Sequence, residues 1–263
     1  MKDMSSEGDI AATKVQYYDQ FADKALDSPP PIDGRVRKAE SLFRKHLGHG
    51  RRLLDIGCSD GGIAAFLGQA LGAEEVRGVE VSPRWVELAH RRGVEAAVFD
   101  VESGPLPYTS GSFDAIFCGE IIEHLVDPDH LLDEIRRLLT PQGLCVLTTP
   151  NLAAWVNRVA LALGYQPFSC GVSFRHDVGR MLALGSASPV LGHLRVFSHR
   201  ALKELLSTHG FRIVDMAGLS TLETMESVPR GRLGLLLRLV HPLDRLLSLR
   251  TSLALDLVVA IRP

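Results

Sequence analysis

The chain has 263 residues, 46% of them hydrophobic and 23% charged, with a formal net charge of −2. This length and balance admit one large domain with insertions, and a charge so close to zero excludes a general electrostatic pull on nucleic acid. Cys58, Cys118, Cys145 and Cys170 form no CxxC pair. Three of them fall in or beside apolar strand patterns, as buried thiols of a reducing compartment do. The opening MKDMSSEGD carries no basic-then-apolar leader, and no apolar run approaches the roughly 20 residues of a membrane helix, so a cytoplasmic protein is expected.

In chain order, residues 11–25 and 34–47 read as helices separated by the prolines of SPPP. RRLLDIG (51–57) is a short apolar strand running into the glycine-rich turn CSDGG, and the helix 63–72 follows. EVRGVEV (75–81) is a strand. The helix 82–92 has Ser82 as N-cap and Pro83 in its first position. Strands at 94–100, 112–119 and 143–150 alternate with a helix at 130–139. Residues 151–163 read as a helix, 164–194 as a long loop, 198–210 as a helix and 211–219 as a strand. An amphipathic basic stretch at 231–250, with Pro242 near its middle, precedes a last strand at 253–261. Strands alternating with helices at this spacing predict an α/β, doubly wound and mostly parallel sheet. The expected parts are an N-terminal helical lid (1–50), a cofactor-binding core (51–150), and a region (151–263) holding an acceptor-pocket insertion, the amphipathic segment and the last strands of the same sheet.

The strand–turn–helix around DIGCSDGG is the first chemical signal. In an open α/β sheet, ligands bind at the carboxyl ends of the strands, where the order reverses. Glycines there let backbone approach a ligand closely. Glu80 ends the second strand, about 20 residues beyond the turn, where an acid can take both ribose hydroxyls. Asp100 ends the third, where a carboxylate can accept from an adenine amino group. The competing reading of Asp55 and Glu80 is of strand-end acids satisfied by loop amides. A dinucleotide-binding reductase needs GxGxxG, and here the first two glycines of the turn, Gly57 and Gly61, stand four residues apart.

LLDIGCSDGG, GVEVSP, VFDVESGPLPYTSGSFDAIFCGEIIEHL and LLTPQGLCVLTTPN resemble the successive motifs of class I S-adenosylmethionine methyltransferases, closely over about residues 50–150. RVFSHRALKELLSTHGF (195–211) resembles the later helix–strand segment of that family. The resemblance implies a seven-stranded sheet and S-adenosylmethionine as cofactor. It implies that Asp55 and Gly57 flank the methionine part, that Glu80 holds the ribose, that Asp100 and Val101 face the adenine, and that Cys58, Gly61 and Val81 also belong to the cofactor site. Gly119 and Glu120 would lie beside the sulfonium. Tyr17 and Tyr18 lie in a helix like the family's lid, and Tyr18 is the one expected at the cofactor.

Methyl transfer from a sulfonium is a direct displacement, so a protein mainly aligns the reacting atoms and removes a proton from the nucleophile. Glu120, Glu123 and His124, at i, i+3 and i+4, share one face if their segment is helical. His124 is the candidate base. A second reading places magnesium or another divalent metal on Glu120, Glu123, His124 and the distant His193. The pattern is similar to that of small-RNA 2′-O-methyltransferases and ubiquinone-pathway O-methyltransferases, in which it is linked to metal. The loop 164–194, with Arg175, His176, Asp177 and His193, is expected to build the acceptor pocket, joined by Trp155 and Asn157. The reading is methyl transfer to an oxygen, less readily a nitrogen, of a small-molecule, lipid-linked or glycan acceptor, with no nucleic-acid partner. The alternatives are a cofactor-binding scaffold without turnover and a metal-dependent 2′-O-type enzyme. The 231–250 segment, with Arg230, Arg232, Arg238, Arg245 and Arg250 among leucines, is either a cap packed on the domain or a peripheral membrane contact.

Overall fold

The structure, a computed structural model, describes Val15, Asp19, residues 32–173, His176, and residues 178–181, 192–224 and 231–263, with the backbone alone at 232 and 233. The expected helix at 11–25 therefore lies outside the described residues except for Val15 and Asp19, both helical.

Strands β1 (Arg52–Ile56), β2 (Glu75–Glu80), β3 (Glu95–Val98), β4 (Phe113–Gly119), β5 (Leu139–Pro150), β6 (Arg212–Leu219) and β7 (Asp256–Arg262) form one sheet in the order β3-β2-β1-β4-β5-β7-β6. Every pairing is parallel except those of β7, which runs antiparallel to β5 and β6. The helices are α1 (Gly34–His46), α2 (Gly62–Leu71), α3 (Pro83–Arg91), α4 (Pro128–Leu138), α5 (Trp155–Ala162), α6 (His199–Thr208), the short α7 (Thr221–Thr224) and α8 (Arg232–Ser248). This is the doubly wound, mostly parallel sheet expected from the sequence.

Alternation along the strands builds two cores from one sheet. Leu54, Ile56, Ile116, Cys118, Cys145 and Leu147 point to the face covered by α4 and α6, against Leu132, Ile135, Leu202 and Leu206. Their neighbours Leu53, Ala115, Phe117, Leu144 and Val146 point to the other, against Val36, Phe43, Leu67 and Leu71 of α1 and α2. The thiols of Cys58, Cys118 and Cys145 are buried, and burial pushes each of them up, out of the range of a reactive thiolate.

Local chemistry sets the helix starts. Ser82 accepts from the Trp85 amide with Pro83 behind it, Asp127 accepts from the His130 amide ahead of Pro128, and Ser198 accepts from the Ala201 amide. Several boundaries differ from expectation by one to four residues, and two of them have a local cause. α4 stops at Leu138 because Leu139 is already extended and pairs with Phe113 at the start of β5. α5 begins only at Trp155, since the buried Asn151 holds the preceding turn, accepting from the Ala153 amide and donating to the Ala254 carbonyl. α8 runs unbroken through Pro242, whose ring removes the donor for the Arg238 carbonyl.

Candidate functional site

Chain order reverses between β1 and β4, and a cleft of about 350 Å³ opens there at the carboxyl ends of the strands. Its walls come from the turn after β1 (Gly57, Ser59), the end of β2 (Glu80, Val81), the segment after β3 (Phe99, Asp100, Val101) and the residues around Gly119 at the end of β4. The two described non-glycine residues with left-handed backbone, Ser59 (φ 45°) and Glu120 (φ 56°), both line it. Gly57 also has positive φ, and a Cβ there would collide with Ile121 across the cleft.

Glu80 is held against the wall by two backbone amides, Ser59 N to Oε2 and Ser82 N to Oε1, each 3.1 Å away. Both readings of this acid thus meet: loop amides fix it, and it faces the cleft. Asp55 lies behind the wall, and its Oδ1 has no hydrogen-bond partner among the described residues. Burial, with Glu80 and Asp60 nearby, pushes the Asp55 carboxyl up to about 8. An acid raised in the folded state holds its proton after the unfolded chain has lost it, so stability falls as pH rises. Thermal melting should therefore show the ligand-free protein weakening between about pH 4 and about pH 8, where Asp55 keeps its proton only when folded. Asp55→Asn should flatten that slope, and an unchanged slope would reject the assignment. Asp256, also raised to about 8 by burial and by Glu120, adds in the same direction.

At the β4 end the arrangement departs from the expected helical face. The left-handed Glu120 turns the chain, and a single 3-10 turn (Ile122–His124) follows, so Glu120, Glu123 and His124 do not share a face. Glu120 and His124 line the cleft, whereas Glu123 is fully buried and accepts from the Thr149 hydroxyl at 3.0 Å. Burial, then Glu120, holds the Glu123 carboxyl well above its ordinary range. Glu120 accepts from the Thr148 hydroxyl at 2.9 Å and from Arg35 Nη1 at 2.7 Å.

The sequence reading missed Arg35. It occupies the second position of α1, pairs with Asp33 at 2.6 Å and lies 3.9 Å from Asp256. Its carboxylates outweigh burial and hold the guanidinium charged. A cation in the first turn of a helix opposes the helix dipole, and that was the available signal that an anion waits nearby.

Glu123, His124 and His193 converge, with one ligand atom from each lying within 4.8 Å of the others. The rings of His124 and His193 meet edge to face, 4.8 Å between centroids. A carbonyl only accepts, so His124 Nδ1 donates to the Gly192 carbonyl at 3.1 Å and His193 Nδ1 donates to the Ser169 carbonyl at 2.9 Å. His124 Nε2 is then on the Glu123 side, 4.0 Å from Oε1, an oxygen with no hydrogen-bond partner among the described residues. Burial lowers the pKa of His193, which favours the neutral imidazole.

Other expected residues fall elsewhere. Cys58 packs under Gly78 and Gly61 against Ala89, so neither lines the cleft. Asp100 sits two residues past the end of β3 but still faces the cleft with Val101. Trp155 and Asn157 are not part of it: the Trp155 indole donates to Asp244 at 2.8 Å, and Asn157 is buried with its amide on Asn151 and Ser169. His176 is exposed. Tyr17, Tyr18, Arg175, Asp177 and Arg230 lie outside the described residues, as does the Arg232 side chain. Trp85 and Phe99 line the cleft without having been anticipated.

A doubly wound domain with a reversed last strand and an acid-walled cleft at its switch point is the class that fold and site define. The methyltransferase-domain family matches residues 29–216, and the chain belongs to it. The methyltransferase GfsG of Streptomyces halstedii is 33% identical over 156 residues, 56% of each chain. A ubiquinone biosynthesis O-methyltransferase of Xanthomonas oryzae pv. oryzae is 36% identical over 107 residues, 39% of this chain and 44% of that one. The alignments thus span about half the length of these curated relatives. Burkholderia thailandensis 1,6-didemethyltoxoflavin-N1-methyltransferase, solved with 1,6-didemethyltoxoflavin and S-adenosylhomocysteine, superposes with a TM-score of 0.56 at 17% identity, over 98% of this chain and 88% of that one. At that identity the likeness speaks for the fold.

Proposed function

We propose that the protein transfers a methyl group from S-adenosylmethionine to an oxygen of a small-molecule acceptor. The observation that carries this reading is the convergence on one cleft of Gly57, Glu80, Asp100, Gly119, Glu120 and His124. The residues fit the cofactor: a glycine at the close approach, a carboxylate held by amides for the ribose, apolar walls at Val81, Phe99 and Val101 for the adenine, and acidic groups toward a cation. When bound, S-adenosylmethionine supplies a methyl already activated on sulfur.

The chain's own work is then alignment and proton removal. His124 Nδ1 donates to a carbonyl, which orients the ring and makes Nε2 the basic nitrogen that would take the acceptor hydroxyl's proton. Glu80 and the walls at Val81, Phe99 and Val101 would hold the cofactor, which would give its methyl to the deprotonated oxygen while the carbon–sulfur electron pair stays with S-adenosylhomocysteine. Arg35 holds Glu120 in place at the cleft wall. Oxygen is the preferred nucleophile, consistent with the O-methyltransferase name of the Xanthomonas relative. A scaffold without turnover is disfavoured because a base and an acid stand on the cleft wall where the acceptor must enter.

One observation favours a second reading of the same corner. Two imidazoles and one carboxylate, with no hydrogen-bond partner for Glu123 Oε1 among the described residues, suit zinc, manganese or iron better than magnesium. Glu120 would not belong to such a set, since Arg35 and Thr148 engage it. Calorimetry with S-adenosylmethionine, repeated after EDTA treatment and with added zinc or manganese, tests both readings. Micromolar cofactor binding is expected, and its absence in a well-folded sample would overturn the methyl-transfer reading. Turnover that EDTA abolishes and metal restores would move His124 from base to ligand.

A further inference from the structure

Helix α8 carries leucines toward solvent as well as toward the domain, more than a helix that meets only water needs. Its inner face carries Asp244 and Ser248, both buried, and Asp244 accepts from the Trp155 indole at 2.8 Å and from the Thr221 amide at 2.7 Å. Those bonds lock the helix in rotation. Its outer face then presents Leu235, Leu236, Leu239, Leu243, Leu246 and Leu249, each between 48% and 76% exposed. Spacings of four, four and three from Leu235 to Leu246 place these side chains in one stripe. A soluble amphipathic helix keeps that outer face polar.

Arg238, Arg245 and Arg250 are exposed beside the stripe, and the sole acid in 231–250 is the buried Asp244. Behind the helix lies a second cavity of about 390 Å³, bounded by Trp155, Val159, Phe168, Leu236, Leu237 and Val240 among others. Among the described lining residues, the polar groups are those of Thr221, Asp244 and the Trp155 indole N–H. Val159 and Leu236 line it and are also exposed, so it opens on the same surface as the stripe. Dry apolar cavities of about 150 Å³ accept benzene, and this one is larger.

We propose that α8 lies in the interface of an anionic lipid bilayer. The leucines sit among the acyl chains, the arginines sit at the phosphates, and one lipid hydrocarbon chain occupies the cavity behind the helix. Charge selects this occupant over a second copy of the chain. A two-fold contact through the stripe would bring the arginines of both copies together with no exposed acid on either helix. The helix lies on the membrane and does not span it, since no described helix is long and apolar enough to cross. The inference is independent of the chemistry of the first cleft.

Co-sedimentation of the full chain with vesicles tests it, using phosphatidylcholine alone and phosphatidylcholine with phosphatidylglycerol. Binding to the anionic vesicles is expected to exceed binding to the neutral ones by roughly tenfold and to weaken as salt screens the arginines. Leu235→Ser, Leu239→Ser and Leu246→Ser together should reduce binding by roughly tenfold or more, because three exposed apolar anchors are lost while the melting temperature is kept. Arg238→Gln with Arg245→Gln should remove the preference for phosphatidylglycerol. For the cavity, Trp85→Phe leaves Trp155 as the single indole, and brominated acyl chains should quench its fluorescence. Wild-type protein left in the supernatant with anionic vesicles would overturn the proposal, as would equal binding by the leucine variant. A dimer in gel filtration that the leucine variant dissociates would assign the face to self-association. An unquenched Trp155 on bound protein would remove the lipid chain from the cavity.

Discussion

Glu80→Ala should weaken S-adenosylmethionine binding by roughly 100-fold or more. If Glu80 takes the ribose hydroxyls, the substitution deletes two hydrogen bonds to a charged group, each contributing about 1.5–3 kcal/mol, and about 1.4 kcal/mol is a factor of ten in affinity. A local effect adds to the loss. The same carboxylate anchors the amide of Ser59, whose left-handed backbone forms the opposite wall of the cleft. Without that anchor the turn after β1 relaxes toward a less costly conformation. Glu80→Gln separates the contributions, because it keeps the side chain's length but places an amino group toward one of the two amides. Calorimetry on both variants, with far-ultraviolet circular dichroism to show that each is folded, decides the matter. An affinity close to that of the unaltered protein would remove Glu80 from the ribose.

His124→Ala should lower kcat/KM by about 10²–10⁴ with a hydroxyl acceptor, the range for loss of a positioned base. Cofactor affinity should change little if His124, which lines the cleft with Glu120 and Leu125, meets the acceptor and not the cofactor. That split between turnover and binding distinguishes a base from a wall residue, whose removal would shift both. Release of S-adenosylhomocysteine under single-turnover conditions is the readout. Unchanged single-turnover release would end the assignment of His124 to proton removal.

The elements were legible because their signals are local. Ser82–Pro83 and Ser198 announce helix starts through bonds spanning three residues. Strand-end acids such as Glu80 stand where period-two apolar runs stop, so their position at the sheet's edge could be read directly. The corner at Glu120 was not legible in the same way. A helical spacing of Glu120, Glu123 and His124 suggests one face, yet the left-handed backbone of Glu120 sends Glu123 into the core toward Thr149 and leaves His124 at the cleft. No rule of spacing contains that turn. It depends on Thr148 and Thr149 of the neighbouring strand, which receive the two carboxylates.

Residue order alone was enough to establish the alternating strands and helices, the glycine turn with its acids, and the family, since each rests on patterns within a few tens of residues. It was also enough to mark 231–250 as amphipathic and basic. Which face of α8 meets solvent is a different kind of fact. The bonds of Asp244 to Trp155 and Thr221 settle it, across 89 and 23 residues of chain. The pairing of Arg35 with Glu120 and the meeting of His124 with His193 belong with it, at separations of 85 residues and, through the loop that carries Gly192, of comparable range. Such contacts exist only once packing has brought distant elements together, because the free energy that fixes them comes from burial of the whole core and not from the segments that carry the residues.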